Sequence, residues 1–156
     1  MRFFVVRLNP DLRANRAYSK YPTRKEYSRI HNTSPMNGFD ECVNFLVENA
    51  LVKGYLPPKH STSMRNGEPF TLITITAKTA KEKADQIVGI QHHCVYAGYN
   101  SRLNLNCKDM KLSWYYFCNA KNSILLEEPI SEARDLILGN HVQWHRNPTF
   151  ELNISD

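Results

Sequence analysis

No stretch of this chain approaches the ~20 consecutive apolar residues that a bilayer-spanning helix needs, so a helical membrane protein is excluded at once. The opening run, Met1 to Pro10, carries Arg2 and Arg7 too early to read as a secretion signal; a cytoplasmic protein with no membrane partner is the expectation. Four cysteines (Cys42, Cys94, Cys107, Cys118) have no CxxC spacing, and each lies in or beside an apolar run. That pattern reads as reduced thiols rather than a metal site, with Cys107 the most exposed. The six glycines make no GxGxxG, Walker A or GxSxG pattern.

The six histidines do not converge either. Adjacent His92 and His93 point to opposite faces of a strand and cannot readily share an ion. His141 and His145 have i, i+4 spacing, but Gly139 and Pro148 bracket them and no HExxH is present. Glu127 and Glu128 lie beside Pro129 and read as a strand end, while Asp109 with Lys111 and Glu82 with Lys83 read as surface charge. No internal repeat or low-complexity tract interrupts the chain. A length of 156 residues predicts a single domain over residues 1–156, and the absences predict one without enzyme activity, metal or cofactor.

What the chain does have is lopsided charge. Residues 1–30 hold Arg2, Arg7, Arg13, Arg16, Lys20, Arg24, Lys25 and Arg29 against Asp11 and Glu26, a net of +6, so the rest of the chain sums to −1. Tyr18, Tyr21 and Tyr27 are interleaved with these cations through an aperiodic segment, Asp11 to Pro35. Cations neutralise a phosphate backbone and aromatic rings stack on bases, so this segment is either a polyanion-facing arm or simply a solvated basic loop.

The apolar pattern supplies the frame. Phe70 to Ala77 alternates with period two, and Gln86 to Gln91 is a second β-rich run, so Thr79–Asp85 reads as the end of a central antiparallel hairpin. Gly89 within that second run would leave a face bare for a backbone or a flat ligand. Arg2–Leu8 reads as an interior strand stopped by Asn9-Pro10. The segment Thr23–Ile30 suits a short helix. Phe39, Val43, Leu46, Val47, Ala50 and Leu51 fall on one stripe and predict a helix over Asn37–Lys53, ended by Gly54 and Pro57-Pro58. Beyond the central hairpin, Ala97–Ser101 is expected as a turn and Arg102–Lys111 as irregular. Leu112–Cys118 and Ser123–Leu126 are expected as a second hairpin, with Glu132–Leu138 a short helix and Thr149–Ile154 an edge strand. The fold class is therefore α+β: a curled, mostly antiparallel sheet or small barrel flanked by two or three helices.

Four stretches give this order a family likeness. They are Phe3–Pro10; His31–Asp40; Asn66-Gly67-Glu68 followed by Ile87–Ile90; and Trp114–Cys118 with Ser123–Leu126 and Pro129-Ile130. In these the chain resembles the PUA-like superfamily, in particular its EVE and YTH-like branches that read modified bases. The resemblance implies a base-flipping module in which an extruded base enters an aromatic pocket. By position the pocket would be walled by Asn32, Ser34, Asn37, Phe39, Asp40, Tyr96, Tyr99 and Trp114. Arg7, Asn9, Arg13, Arg16, Lys20, Arg24, Lys25 and Arg146 would face the nucleic acid. The tryptophans that the likeness calls for near the first helix are missing, so Phe39 or a tyrosine must substitute.

Two functions follow from the likeness. One is the recognition of a modified, methylated base, with DNA favoured over RNA, as the DNA-targeting part of a modification-dependent restriction system whose nuclease domain or subunit lies elsewhere. The other is an ASCH-like RNA- or nucleoside-binding domain with possible enzymatic activity.

Overall fold

The computed structural model describes residues 1–8, 25, 40–76, 86–104, 107–133, 136 and 149–152, the side chains of 40, 42, 60, 103, 104 and 107–111 excepted. Eight strands make one mixed, unclosed sheet. They are β1 (Arg2–Leu8), β2 (Val47–Glu48), β3 (Leu51–Gly54), β4 (Phe70–Thr76), β5 (Ile87–Asn104), β6 (Cys107–Asn119), β7 (Ser123–Ile130) and β8 (Thr149–Leu152). Their order is β2-β3-β6-β5-β4-β1-β8, with β7 beside β5. The β1–β4 pair is parallel and the other pairs are antiparallel. Helical structure among the described residues is slight: 3₁₀ turns at Asp40–Val43, Pro58–His60, Thr62–Met64 and Ala120–Asn122, and helical residues at Lys25, Ala133 and Leu136. No described helix is long and apolar enough to cross a membrane.

The central hairpin forms as its alternation predicts. Along β4, Phe70 and Leu72 enter one apolar cluster, with Phe4, Val6, Leu8, Leu56 and Tyr116. Ile73 and Ile75 enter another, with Val5, Ile87 and Phe150. Period two thus sends successive residues of β1 and β4 to opposite faces, and both faces are covered. Such strands sit inside a sheet, and β1 lies between β4 and the edge strand β8.

The expected helix over Asn37–Lys53 is a correction. From Asp40 onward the chain makes one 3₁₀ turn and then the β2–β3 hairpin, closed by Asn49 (φ 50°) and Ala50 (φ 64°). The stripe had the right period, but two left-handed residues in succession make a tight hairpin turn, and β3 gains a ladder with β6 from Leu51↔Asn119 to Gly54↔Tyr116. Tertiary pairing overrides a local pattern here. Gly54 is accordingly no helix stop: the Tyr116 ring occupies the space a Cβ would need.

The second half of the chain needs further corrections. Ala97–Ser101 is not a reversal but an irregular stretch within β5, and most of Arg102–Lys111 belongs to the β5–β6 hairpin. Leu112–Cys118 and Ser123–Leu126 are both strands, yet β7 pairs with β5, not with β6, and it continues through Glu127-Glu128-Pro129 to Ile130. The 3₁₀ turn at Ala120–Asn122 redirects the chain, and Asn119 steadies it by accepting from the Lys121 amide at 3.1 Å. Strand β5 is therefore shared: its first half pairs with β4 and β7, its second half with β6. The sheet is open where a small barrel was one expectation.

Candidate nucleic-acid interface

The register of β5 against β6 builds the most exposed aromatic feature among the described residues. Tyr96 pairs with Tyr116 and Asn100 with Trp114, so Ala97, Gly98 and Tyr99 stand opposite Tyr115 alone. Two surplus residues on one strand make a bulge, the device by which strands re-aim a side chain. Gly98 takes φ 74° at its centre, a conformation that glycine adopts without a Cβ penalty. The Asn100 side chain holds the loop, donating to the Gly98 carbonyl at 3.1 Å. At the crest Tyr99 is 67% exposed.

Tyr99 is backed from below. Its ring meets Tyr115 edge to face at 5.9 Å between centroids, and Tyr115 meets Tyr55 in the same way at 5.8 Å. Tyr115 is buried, and the Tyr55 backbone is clamped by Asn44, which accepts from its amide at 2.7 Å and donates to its carbonyl at 3.1 Å. Cations cap the flanking rings: Lys53 lies 5.4 Å above Trp114, and Arg65 5.8 Å above Tyr96. Trp114 and Tyr115 alternate along β6 and so face opposite ways. The Tyr99–Tyr115–Tyr55 row can stack on bases, and the cations that cap Trp114 and Tyr96 can hold phosphate elsewhere on the same ladder.

Below this platform the sheet is pinned by buried polar groups. Gln91 donates to the Asn44 carbonyl at 2.8 Å and to the Ser123 hydroxyl at 3.0 Å, and its carbonyl accepts from the Tyr116 hydroxyl. Burial pushes the Tyr116 phenol well above its ordinary value, so it stays protonated and donates. Arg102, its side chain 9% exposed, pairs with Glu48 and donates to the Lys53 carbonyl at 3.1 Å. That bond fixes the backbone from which Lys53 reaches Trp114.

Of the expected pocket residues, the structure brings Tyr96, Tyr99 and Trp114 to one region, the β5–β6 ladder. Asn32, Ser34, Asn37 and Phe39 lie outside the described residues, as does the Asp40 side chain. So do Asn9, Arg13, Arg16, Lys20, Arg24 and Arg146 of the expected phosphate contacts, while Lys25 is described alone and exposed. Arg7 is not at this platform: it aligns through Ile75 with Ile87, at the opposite end of β5 from Tyr99. The face that Gly89 was expected to leave open is taken, because a Cβ there would come within 2.5 Å of the Phe45 ring and of the Ile124 carbonyl.

Sequence reasoning missed Lys53, Arg65, Tyr55 and Tyr115 as neighbours of the site. Lys53 was assigned to the end of a helix, and only the β3–β6 register puts it beside Trp114. A separate open cleft of about 410 Å³ is lined by Met1, Arg2, Glu68, Pro69 and His93, none of them an expected pocket residue. Its guanidinium is already engaged by Glu151 and by the Ser63 carbonyl. No three His, Cys, Asp or Glu side chains among the described residues are grouped to hold a metal ion. No family model, curated protein or solved structure matches the chain.

Proposed function

We propose that this protein is a non-catalytic nucleic-acid-binding module that stacks a base on Tyr99, with Lys53 and Arg65, which cap Trp114 and Tyr96 of the same β5–β6 ladder, as phosphate contacts. The observation that carries this reading is a tyrosine lifted to 67% exposure on a three-residue crest and buttressed by a buried second tyrosine. An exposed ring normally forfeits the stability that burial would give it, and a bulge with its own glycine and asparagine brace is a costly way to hold it in water. The basic N-terminal segment supports the same reading through long-range attraction for a polyanion. The PUA-like resemblance adds the finer proposal: the base is a methylated one, flipped from DNA, and the chain targets a nuclease carried elsewhere.

Fluorescence anisotropy with labelled oligonucleotides of one sequence, methylated and unmethylated, single- and double-stranded, tests both levels. Base–aromatic stacking is worth ~1–3 kcal/mol by alanine substitution, so Tyr99→Ala should weaken binding about 5- to 150-fold while Tyr99→Phe keeps it. Equal affinity of Tyr99→Ala and the unsubstituted chain overturns the platform. Equal affinity for methylated and plain oligonucleotides overturns only the finer proposal. Turnover of a nucleoside would favour the ASCH-like reading instead.

A further inference from the structure

We infer that Cys94 and Cys118 form a cross-strand dithiol, a modification site that a two-electron oxidant closes into an intramolecular disulfide. The β5–β6 ladder pairs Tyr96 with Tyr116 and Val95 with Phe117, and the next step along it sets Cys94 across from Cys118. Outer neighbours hold both strands at this point, since Cys118 also pairs with Val52 and Cys94 with Phe70. Directly opposed residues of an antiparallel pair have Cα atoms ~4.5–5.5 Å apart. A disulfide spans ~4.4–6.8 Å between Cα atoms, so the bridge forms without moving the strands.

The two thiols are free, buried and members of one apolar cluster with Val52, Leu72 and Tyr116. They also differ in acidity. Burial pushes the Cys94 thiol well up, whereas a hydrogen bond from Cys94 pulls Cys118 down. The Cys94 proton has a second acceptor, the Gln91 carbonyl at 3.4 Å. Cys118 is therefore the nucleophile and Cys94 the resolving thiol.

A lone buried cysteine is inert, but here an oxidised sulfur would find its partner already in place. With hydrogen peroxide, Cys118 sulfur bonds to one peroxide oxygen, the O–O bond breaks, and the other oxygen leaves as water with the Cys118 proton. Cys94 sulfur then attacks the sulfenic sulfur, the S–S bond forms, and the second oxygen leaves as water with the Cys94 proton. Two thiols and one peroxide become one disulfide and two waters. Both sulfurs are shielded, so a small oxidant entering on local opening of the ladder is what the site accepts. The closed bridge would fix β5 to β6 immediately before the Tyr99 crest.

The test exposes the folded full-length chain to hydrogen peroxide, alkylates free thiols after acid unfolding, and maps peptides by mass spectrometry. The expected product has lost the mass of two hydrogens and links the Cys94 peptide to the Cys118 peptide. In Cys94→Ala, dimedone should trap a sulfenic acid on Cys118. Both thiols still alkylated after treatment of folded protein, or a bridge to Cys42 or Cys107, overturns the proposal. The map on the unsubstituted chain decides it even where a variant does not fold.

Discussion

Gly89 shows what a single residue decides in this sheet. Its missing Cβ makes room for the Phe45 ring and lets β7 approach close enough for the Ile124 carbonyl to stand over it. Gly89→Ala places a methyl 2.5 Å from both, and the backbone carbonyl cannot swing away as a flexible side chain would. Overpacking of this kind costs ~1–3 kcal/mol, so the urea midpoint should fall accordingly. An unchanged midpoint would mean that Phe45 and β7 do not meet there. The sequence made this position legible as a glycine inside a strand. It left the occupant open, because a bare face attracts a ligand or a protein ring equally well and Phe45 reaches it only through a hairpin that no local pattern announced. Tyr99 was legible for a similar local reason, following a glycine in a polar stretch. Its support by Tyr115 depends on a bulge register that composition does not encode.

At the scale of elements, strands held by alternation were readable and those held by pairing were not. The stripe from Phe39 to Leu51 satisfies helical period, yet residues 47–54 are a hairpin whose turn includes Ala50 at φ 64°. The sign of one substitution separates the two structures. In a hairpin, Ala50→Gly relieves a left-handed alanine and should stabilise by ~0.5–1 kcal/mol. In a helix interior the same change would destabilise by ~1 kcal/mol. The substitution leaves in place the Ala50 carbonyl, which accepts from the Ala120 amide at 2.9 Å. A rise in the urea midpoint is expected. Edge strand β8, laddered to β1, is further tied by an ion pair: Arg2 donates twice to Glu151, each bond 2.7 Å. Through that hydrogen bond Arg2 holds the Glu151 carboxyl below its ordinary value. The carboxylate's contribution is therefore in place above the ordinary value and lost as pH falls through the lowered one. The two side chains are 26% and 35% exposed, so it amounts to ~0.5–1 kcal/mol. Hydrogen-exchange protection of residues 149–152, normalised to intrinsic rates, should drop in that acidic window before the protection of β4 does. Glu151→Gln should show the lower protection at neutral pH.

At the scale of the whole chain, the excess positive charge and Tyr99 lie far apart in sequence, so substitutions can separate affinity from salt response. The excess positive charge belongs to residues 1–30, whereas the exposed tyrosine stands on the β5–β6 ladder. A phosphate contact releases condensed counterions when it forms, so each one steepens the fall of log affinity with log salt by ~0.7–0.9. Stacking releases none. If the protein binds nucleic acid as proposed, neutralising Arg13, Arg16, Lys20 and Lys25 together by substitution to Gln should flatten the salt slope by about 3 and weaken plain and methylated oligonucleotides alike. Tyr99→Ala should instead lower affinity by a factor that stays constant from low to high salt. Double substitution should give the product of the two factors, since charges acting through solvent and a ring acting by contact share no partner. A slope unmoved by the four substitutions would make the N-terminal segment a solvated loop rather than a guide for the polyanion. A salt-dependent Tyr99→Ala defect would show that the platform works by placing Lys53 and Arg65, not by stacking.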